Sequence, residues 1–325
     1  MIPLYKLNRF VVQVLRKIVH LAGVLIGTTL LIFILMKSAP GDPYSGYSDV
    51  EKKQRGLIPE NVSQPRQYMN QYLNWLGNLV RLDLGYPIKI TADGPVFKQV
   101  ASAYGKTLVI VAGALLISLL ISLPLGFLSA LKQQSKFLQF IVKMIELISS
   151  VPVFITGFFI LLVCMHPPKC IANFKINLSS RDNFGIIEES FFLLVVFVIL
   201  GLGNGSVIEF IKHIHNEISM INSKMYMKAV KARSADYFKH LGRNALIPVL
   251  AIISNRFIFL LSGAVVIEKI FTIQGVGLKS IDAAEVRDYP LIMGIVVFTV
   301  VIVVLLRTIL DIISQQINPR VKSYE

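Results

Sequence analysis

Long apolar stretches constrain this chain more than any other feature of its sequence. Within its 325 residues, apolar blocks occupy about 11–36, 107–131, 137–165, 190–210, 245–267 and 290–313. A helix rises about 1.5 Å per residue, so about 20 apolar residues cross the hydrocarbon core of a bilayer. Backbone N–H and C=O groups find no water there, and a helix pairs them internally. The sequence therefore predicts an all-α integral membrane protein with about six transmembrane helices.

Composition supports a membrane protein and argues against a nucleic-acid-binding one. Hydrophobic residues make up 54% of the chain, charged residues make up 16%, and the mean hydropathy is +0.65. Soluble domains carry about 25% charged residues. The net charge of +14 lies largely in the connections beside the apolar blocks, and no basic, aromatic-rich soluble domain is present to bind nucleic acid. We therefore expect membrane lipid, and no nucleic acid, among the partners.

The distribution of basic residues predicts the orientation in the membrane. Lysine and arginine are concentrated in the N-terminal tail, in the turn 132–136 and in the segment 211–244. Short cytoplasmic loops of membrane proteins carry such an excess, and long loops influence topology weakly. The loops 166–189 and 268–289 have no excess of basic over acidic residues. Both termini and the segment 211–244 are therefore predicted to be cytoplasmic.

The spans divide the chain into three regions. Residues 1–36 form a basic tail and the first transmembrane helix, residues 37–106 form an external loop, and residues 107–325 form a five-helix core that contains the hydrophilic segment 211–244. A basic tail before an apolar block is also typical of a secretory signal. No small-residue cleavage site follows this block, so we expect an uncleaved first span.

Prolines, glycines and one charge pair predict details inside the spans. Pro124 and Pro152 each remove a backbone donor, which predicts kinks in the second and third spans. Small residues four positions apart allow a second helix to approach closely. The pairs with this spacing are Gly23 with Gly27 and Gly201 with Gly205. In the third span Lys143 and Glu146 are one turn apart and can form an ion pair.

The two cysteines do not predict a metal site or a disulfide framework. Cys164 and Cys170 flank His166 at the end of the third span. Thiolate and imidazole are good ligands for a soft metal, but no fourth ligand is apparent. Two cysteines are also too few to form a disulfide framework. We expect incidental thiols and no bound metal.

Short motifs spread along the chain resemble, in order, those of one family. They are Arg9, Ala39-Pro-Gly-Asp-Pro43, Tyr72-Leu-Asn-Trp75, Asp83-Leu-Gly-Tyr86, Ser150-Val-Pro152, Arg243-Asn-Ala-Leu-Ile-Pro248, Gly263-Ala-Val-Val-Ile-Glu268, Gly275-Val-Gly277, Arg287-Asp-Tyr-Pro290 and Asn318-Pro-Arg320. Each motif is weak alone, and their ordered combination is specific. The chain resembles the first of the two permease subunits of bacterial oligopeptide and dipeptide ABC importers over nearly its whole length.

The resemblance implies a fold, a function and a set of partners. It implies the ABC importer permease fold in a bacterial cytoplasmic membrane, and import of oligopeptides or dipeptides. The implied partners are a homologous second permease, two cytoplasmic ABC ATPases that bind ATP and Mg, and an extracytoplasmic substrate-binding protein. The chain itself is expected to bind no cofactor and to catalyse no covalent reaction.

The resemblance also implies a cytoplasmic element that couples the permease to its ATPases. The matching residues are Lys228, Ala229, Val230, Ala232, Arg233 and Ser234. A short helix with small residues on one face can seat in a groove, while basic residues at its rim meet an acidic surface. The chain departs from the family pattern, because Ser234 replaces a glycine and Val230 replaces a small residue. The stretch before Pro248 is also about one helical turn shorter.

No nucleotide-binding loop is present in the sequence. The stretch Gly275-Val-Gly-Leu-Lys279-Ser280 resembles one superficially. The phosphate-binding pattern requires glycine directly before Lys-Ser, and here Leu278 intervenes. The energy for transport is therefore expected to come from another chain.

Arg256 is the notable charge inside a predicted span. It lies in the fifth span beside Ser254 and Asn255. A charge at membrane depth is costly and usually faces a polar cavity or a partner. We expect Ser254, Asn255 and Arg256 to line the translocation path, where Arg256 would meet a peptide carboxylate or carbonyl. The alternative is an ion pair with an acid of the partner subunit.

Three other functions are weighed against a peptide importer. The same family also imports nickel or metal chelates, and no residue decides between these cargoes. A self-sufficient secondary transporter would show internal repeats and ion-coupling carboxylates within spans. A membrane-embedded enzyme would need a catalytic cluster at membrane depth. Neither a clear repeat nor such a cluster is visible in the sequence.

Overall fold

The computed structural model describes residues 4–39, 64–90, 94–165, 186–232 and 237–317. The predictions for His166 and Cys170, for Arg233 and Ser234, and for the motif that ends at Arg320 lie outside these ranges. Within them the regular secondary structure is helical, without strands. The helices are α1 Leu4–Ser38, α2 Gln64–Val80, α3 Val96–Leu131, α4 Lys136–Ser149, α5 Val153–Met165, α6 Ile186–Leu202, α7 Ser206–Ser223, α8 Met225–Ala232, α9 Tyr237–Ile270, α10 Val276–Val286 and α11 Tyr289–Ile317.

Several of these helices are long and apolar enough to cross a membrane. In the described part of the chain they are Arg16–Ser38, Val96–Leu131, Val249–Ile270 and Tyr289–Ser314. Two bent pairs, α4 with α5 and α6 with α7, also meet this criterion as pairs. The count is therefore four, or up to six if each bent pair forms one span. The predicted all-α membrane fold is confirmed, and the predicted six spans correspond to the upper count.

Both bent pairs change direction at a short break. The axes of α4 and of Val153–Val163 differ by 81°, and Pro152 lies between them, so the kink predicted there is confirmed. The axes of Phe192–Leu202 and α7 differ by 55°. Pro124 lies inside α3, which continues as one helix to Leu131.

The break between α6 and α7 was not predicted. Asn204 and Gly205 both have positive φ, at 52° and 72°. This left-handed conformation ends a helix, and glycine and asparagine adopt it with little strain. The prediction that Gly205 forms a close-packing pair with Gly201 is therefore wrong for Gly205. Gly201 does pack closely, because a Cβ there would lie 2.7 Å from the backbone oxygen of Ala114.

The hydrophilic segment predicted at 211–244 is folded into helices. It comprises most of α7, all of α8 and the start of α9. The buried residues of α7 recur every three or four positions, at Phe210, Ile214, Ile218 and Ile221. This spacing places them on one face of a helix, and polar residues such as Lys212 and Glu217 occupy the remaining face. The signal for these helices is the spacing of the apolar residues, which the charge of the segment does not reveal.

The chain forms two compact units, residues 1–104 with 279–305 and residues 105–278 with 306–325. In the first unit the Tyr72 hydroxyl of α2 donates a hydrogen bond to Ile26 O of α1 at 3.0 Å. The Tyr289 hydroxyl of α11 donates to Met36 O at 3.0 Å. The predicted external loop 37–106 thus contains α2, and the second span begins at Val96 rather than at 107.

The second unit is built around α7. Its buried cluster comprises Ala130, Phe210, Ile214, Ile218, Ile221, Met227, Leu241, Ala245 and Val249. Gly126 of α3 lies against this cluster, since a Cβ there would be 2.8 Å from the side chain of Ile214. Glu146 of α4 pairs with Lys212 of α7 at 2.6 Å, a partner other than the predicted Lys143. At Gly23 and Gly27 of α1, by contrast, a Cβ would meet no described atom within 4 Å.

Candidate functional site

The predicted ATPase-coupling residues begin on a short separate helix. Four of them, Lys228, Ala229, Val230 and Ala232, lie on α8, and Arg233 and Ser234 lie outside the described residues. Met227 anchors this helix, since it is 1% exposed and belongs to the cluster around α7.

The helices that flank α8 are joined by a side-chain hydrogen bond. The Tyr237 hydroxyl donates to Asn222 Oδ1 at 2.7 Å, which connects the start of α9 with the end of α7. The docking role of α8 stays a prediction.

Arg256 has a partner within its own chain. It is 8% exposed on α9, and its guanidinium pairs with the Glu209 carboxylate in the first turn of α7. The guanidinium also lies 5.3 Å from the ring centroid of Phe259, which adds a cation–π contact. Glu209 is a counter-charge within the chain, which the sequence did not predict.

The residues beside Arg256 differ in exposure. Asn255 is exposed, and Ser254 is half-buried with its hydroxyl 3.5 Å from Leu250 O. The Glu209 side chain is half-exposed, although it pairs with a nearly buried cation. At membrane depth such a polar surface avoids lipid and faces water or another protein. The Glu209 carboxylate and the Asn255 side chain are therefore the more exposed polar groups around Arg256. The path-facing role of Ser254, Asn255 and Arg256 stays a prediction.

The two helix breaks are hydrogen-bonded to each other. Gly205 N, at the start of α7, donates to Ser149 O at the end of α4 over 2.7 Å. Val153 N, at the start of α5, donates to Asn204 Oδ1 over 3.0 Å. Helix ends leave N–H and C=O groups without intrahelical partners, and these are costly where water is absent. The first break thus supplies the acceptor for Gly205 N, and the second break supplies the acceptor for Val153 N.

Three buried serine hydroxyls lie on the elements around the breaks. Ser122 of α3, Ser149 of α4 and Ser206 of α7 are each at most 1% exposed, and their hydroxyls have no hydrogen-bond partner among the described residues. Ser118, one turn before Ser122, donates to Gly201 O at 2.7 Å, which places this part of α3 beside the second break. Buried polar groups are normally paired, so these three hydroxyls can each make a further hydrogen bond near the two helix breaks.

Glu268 is a buried carboxylate that binds backbone and hydroxyl donors. It is fully buried near the end of α9, where the sequence analysis had placed the first residue of an outer loop. It accepts hydrogen bonds from Thr107 Oγ1 at 2.5 Å, Gly277 N at 2.7 Å and Leu278 N at 3.1 Å. Thr107 Oγ1 in turn accepts from Val276 N at 2.8 Å. These bonds join α3, α9 and the start of α10.

The glycines of the Gly275-Val-Gly277 motif make room for this carboxylate. A Cβ at Gly275 would collide with the Glu268 carboxylate, and a Cβ at Gly277 would lie 2.9 Å from its Oε2. The N–H groups at a helix N-terminus are a natural anion site. Glu268 occupies that site at α10, so these amides serve an internal carboxylate rather than a phosphate.

Asp288 plays a comparable part in the first unit. It is fully buried before α11, and its Oδ2 accepts from Lys89 N at 2.8 Å and from Ile90 N at 3.1 Å. Its Oδ1 accepts from Leu291 N at 3.3 Å, as an N-cap residue does. Asp288 thus holds the segment after Tyr86 against the start of α11. The motifs Gly263–Glu268 and Arg287–Pro290 therefore contain structural carboxylates, which the sequence analysis did not recognise.

We expect removal of Glu209 to cost more stability than removal of Arg256. Glu209→Gln leaves the nearly buried guanidinium without its counter-charge, whereas Arg256→Gln leaves a carboxylate that water can reach. We expect Glu209→Gln to destabilise by about 1–3 kcal/mol and the double variant to lose less than the sum of the single losses. Thermal unfolding in detergent, followed by size exclusion, measures both. Additive losses, or a larger loss for Arg256→Gln, would contradict the pairing.

Glu268→Ala should destabilise the chain more than most single substitutions. It leaves a buried hydroxyl and two buried amides without an acceptor, at about 1–3 kcal/mol each, so we expect a total of about 3 kcal/mol or more. Glu268→Gln keeps one acceptor oxygen and should fall between the alanine variant and the original. Glu217→Ala, at a partly exposed acid of α7, is the control and should change stability by about 0.5 kcal/mol or less. Equal unfolding temperatures for all three variants would refute the proposed role of Glu268.

Comparison with known proteins finds similar chains that are transport permeases. A peptide permease protein of Brucella suis is 28% identical over 309 residues, which cover 92% of this chain and 95% of the relative. The oligopeptide transport system permease protein AppB of Bacillus subtilis is 29% identical over 317 residues, covering 95% and 98%. The nickel import system permease protein NikB of Staphylococcus aureus is 26% identical over 318 residues, covering 95% and 91%.

The family match covers the helices described above from within α3 onwards. The family described as "Binding-protein-dependent transport system inner membrane component" matches residues 122–323, which is more than half of the chain. This range contains both helix breaks, the Glu209–Arg256 pair, the predicted coupling helix and the Glu268 carboxylate. The chain belongs to the family of inner membrane components of binding-protein-dependent transport systems.

Proposed function

We propose that this chain is one of two pore subunits of an ATP-driven importer of oligopeptides or dipeptides. The observation that carries the proposal is the similarity to the peptide permease of Brucella suis and to AppB, each aligned over at least 92% of this chain. In this proposal a homologous second permease completes the pore, and an extracytoplasmic binding protein delivers the peptide. Two cytoplasmic ATPases bind ATP and Mg and perform the hydrolysis.

Within this proposal α8 transmits the work of an ATPase to the membrane helices. Met227 joins α8 to the core around α7, and the bond between Tyr237 and Asn222 joins the flanking helices. A shift of α8 would move the start of α9 together with the end of α7. Packed helices of this kind switch between discrete arrangements, which suits a change from an inward-open to an outward-open state.

The path-facing role of Ser254, Asn255 and Arg256 belongs to the same proposal. Because Arg256 is paired with Glu209, the groups that would meet a passing peptide are the half-exposed Glu209 carboxylate and the exposed Asn255 amide. A pair that is neutral as a whole can hydrogen-bond a peptide without holding it tightly. Such weak and reversible contact is what passage of many different peptides requires.

We further propose that the chain lies in the bacterial cytoplasmic membrane with both termini in the cytoplasm. The excess of lysine and arginine in the N-terminal tail, the turn 132–136 and the segment 211–244 supports this orientation. It places α8 on the side where ATP is available.

Nickel or a metal chelate is the second candidate cargo, supported by the similarity to NikB. In the described part of the chain, no group of three or more His, Cys, Asp or Glu side chains is placed to hold a metal ion. A chelated metal would not need such a group, so the two cargoes are separated by measuring uptake.

Deletion of the gene should abolish peptide uptake and leave nickel uptake unchanged. We expect accumulation of labelled di- to pentapeptides to fall at least about tenfold, because a pore lacking one subunit cannot form, and to return when the chain is supplied from a plasmid. Radioactive nickel, measured in the same cells, is the control. Loss of nickel uptake alone would favour the second cargo, and unchanged uptake of both would refute the importer.

A bulky residue on α8 should uncouple the chain from its ATPases. Ala229→Trp would prevent close seating of the small face, so we expect peptide uptake to fall about tenfold or more and the ATPase subunits to be lost on co-purification. Ala229→Ser keeps the side chain small and is the matched control. Retained uptake and co-purification in the tryptophan variant would show that α8 does not dock in this way.

A further inference from the structure

An open cavity of about 620 Å³ lies in the second unit. Its walls are the last turn of α3 with the turn that follows it, one face of α4, and the middle of α7. Apolar side chains such as Leu138, Val142 and Ile211 form part of the wall, and charged and amide groups form the rest.

The charge of the cavity is positive. Lys132, Lys143 and Lys212 line it against a single acid, Glu146. Lys212 is neutralised by Glu146 at 2.6 Å. Two lysines, Lys132 and Lys143, therefore remain in excess, and neither has an ion-pair partner among the residues that the structure describes. A cavity with an excess of positive charge favours an anion.

Hydrogen bonds between the walls hold the cavity in shape. Gln139 of α4 donates to Gln133 O at 2.8 Å, and the Gln133 side chain donates to Ser219 Oγ of α7 at 3.1 Å. Ser129 Oγ of α3 pairs with His215 Nδ1 of α7 at 3.0 Å. These bonds connect all three walls around the opening, and the exposed side chains of Lys132 and Lys143 belong to those walls.

The position of the cavity indicates where the anion comes from. The apolar helix Val96–Leu131 ends at the cavity, and Lys132 follows immediately. The end of a membrane span lies at the level of lipid headgroups. A phospholipid phosphate is the anion present at this depth.

The outer face of α4 provides room for the lipid chains. Phe137, Phe140, Leu147 and Ile148 on this face are between 59% and 72% exposed, while Lys143 and Glu146 on the other face line the cavity. Apolar side chains exposed on a membrane helix contact acyl chains, whereas a lysine beside the headgroups keeps its ammonium group among them.

We propose that this cavity binds the phosphate of an anionic phospholipid, with Lys132 and Lys143 as its ligands and the apolar face of α4 in contact with the acyl chains. All the residues that line the site come from this chain. The proposal does not depend on which cargo the protein transports. Basic pockets between membrane helices are known to bind anionic headgroups.

Lipid binding to the purified chain in neutral detergent tests the proposal. The probes are phosphatidylglycerol, which is anionic, and phosphatidylcholine, which is neutral, counted as bound molecules by native mass spectrometry. We expect phosphatidylglycerol to bind preferentially and the Lys132→Gln, Lys143→Gln double variant to bind it about tenfold or more weakly. Lys98→Gln with Lys224→Gln, at two exposed lysines outside the cavity, is the matched control and should bind as the original does.

Three results would overturn the proposal. They are equal binding of the two lipids, unchanged phosphatidylglycerol binding in the cavity variant, and an equal loss in the control variant. Displacement of the lipid by millimolar inorganic phosphate or glycerol phosphate would assign the site to a soluble anion instead. If the double variant does not fold, Lys143→Gln alone is used, since this exposed side chain makes no hydrogen bond or ion pair with the described residues.

Discussion

Backbone groups that lose their helical partners inside a membrane must find new ones, and this constraint governs the second unit. Two of its candidate spans are interrupted, one around Pro152 and one at Gly203–Gly205. Water cannot pair the exposed N–H groups at that depth, so each break would be costly alone. The structure satisfies them jointly, through Ser149 O and the Asn204 side chain. Neither helix can then straighten or shift without disturbing the other.

Two buried carboxylates also pair backbone N–H groups that have no helical partner. Glu268 pairs with the first N–H groups of α10, and Asp288 pairs with a backbone N–H of α11 and with two of the segment that ends at Ile90. A buried carboxylate is expensive unless several donors surround it, and here each has three. Both acids thus act as connectors between elements that are distant in sequence. In each unit the motif residues around them are explained by packing and by hydrogen bonds rather than by contact with a substrate.

The sequence was a good guide wherever a local pattern had only one physical solution. Runs of about 20 apolar residues have to be membrane helices, and Pro152 cannot continue the helix before it, so both features were predictable. The helices of the segment 211–244 were not predicted, because its charge was considered and the spacing of its apolar residues was not. Phe210, Ile214, Ile218 and Ile221 were visible in the sequence and carried the correct signal.

Other features could not be predicted, because they depend on contacts between distant residues. Nothing near Arg256 in the sequence identifies Glu209 as its partner. The position of Glu268 was equally ambiguous, since an acid at the end of an apolar run can continue into a loop or turn inward. Only the fold places Thr107 and the amides of α10 around it. The preformed cavity beside α4 is a further case, because its three walls come from separate parts of the chain.

The pairing of Arg256 with Glu209 has a consequence for how the protein is made. A guanidinium that relied on another subunit for its counter-charge would have to wait, unneutralised, in the bilayer until that subunit arrived. Here the neutralising acid is synthesised earlier in the same chain and is already present when α9 is inserted. Insertion of α9 can therefore proceed with this charge neutralised from within the polypeptide.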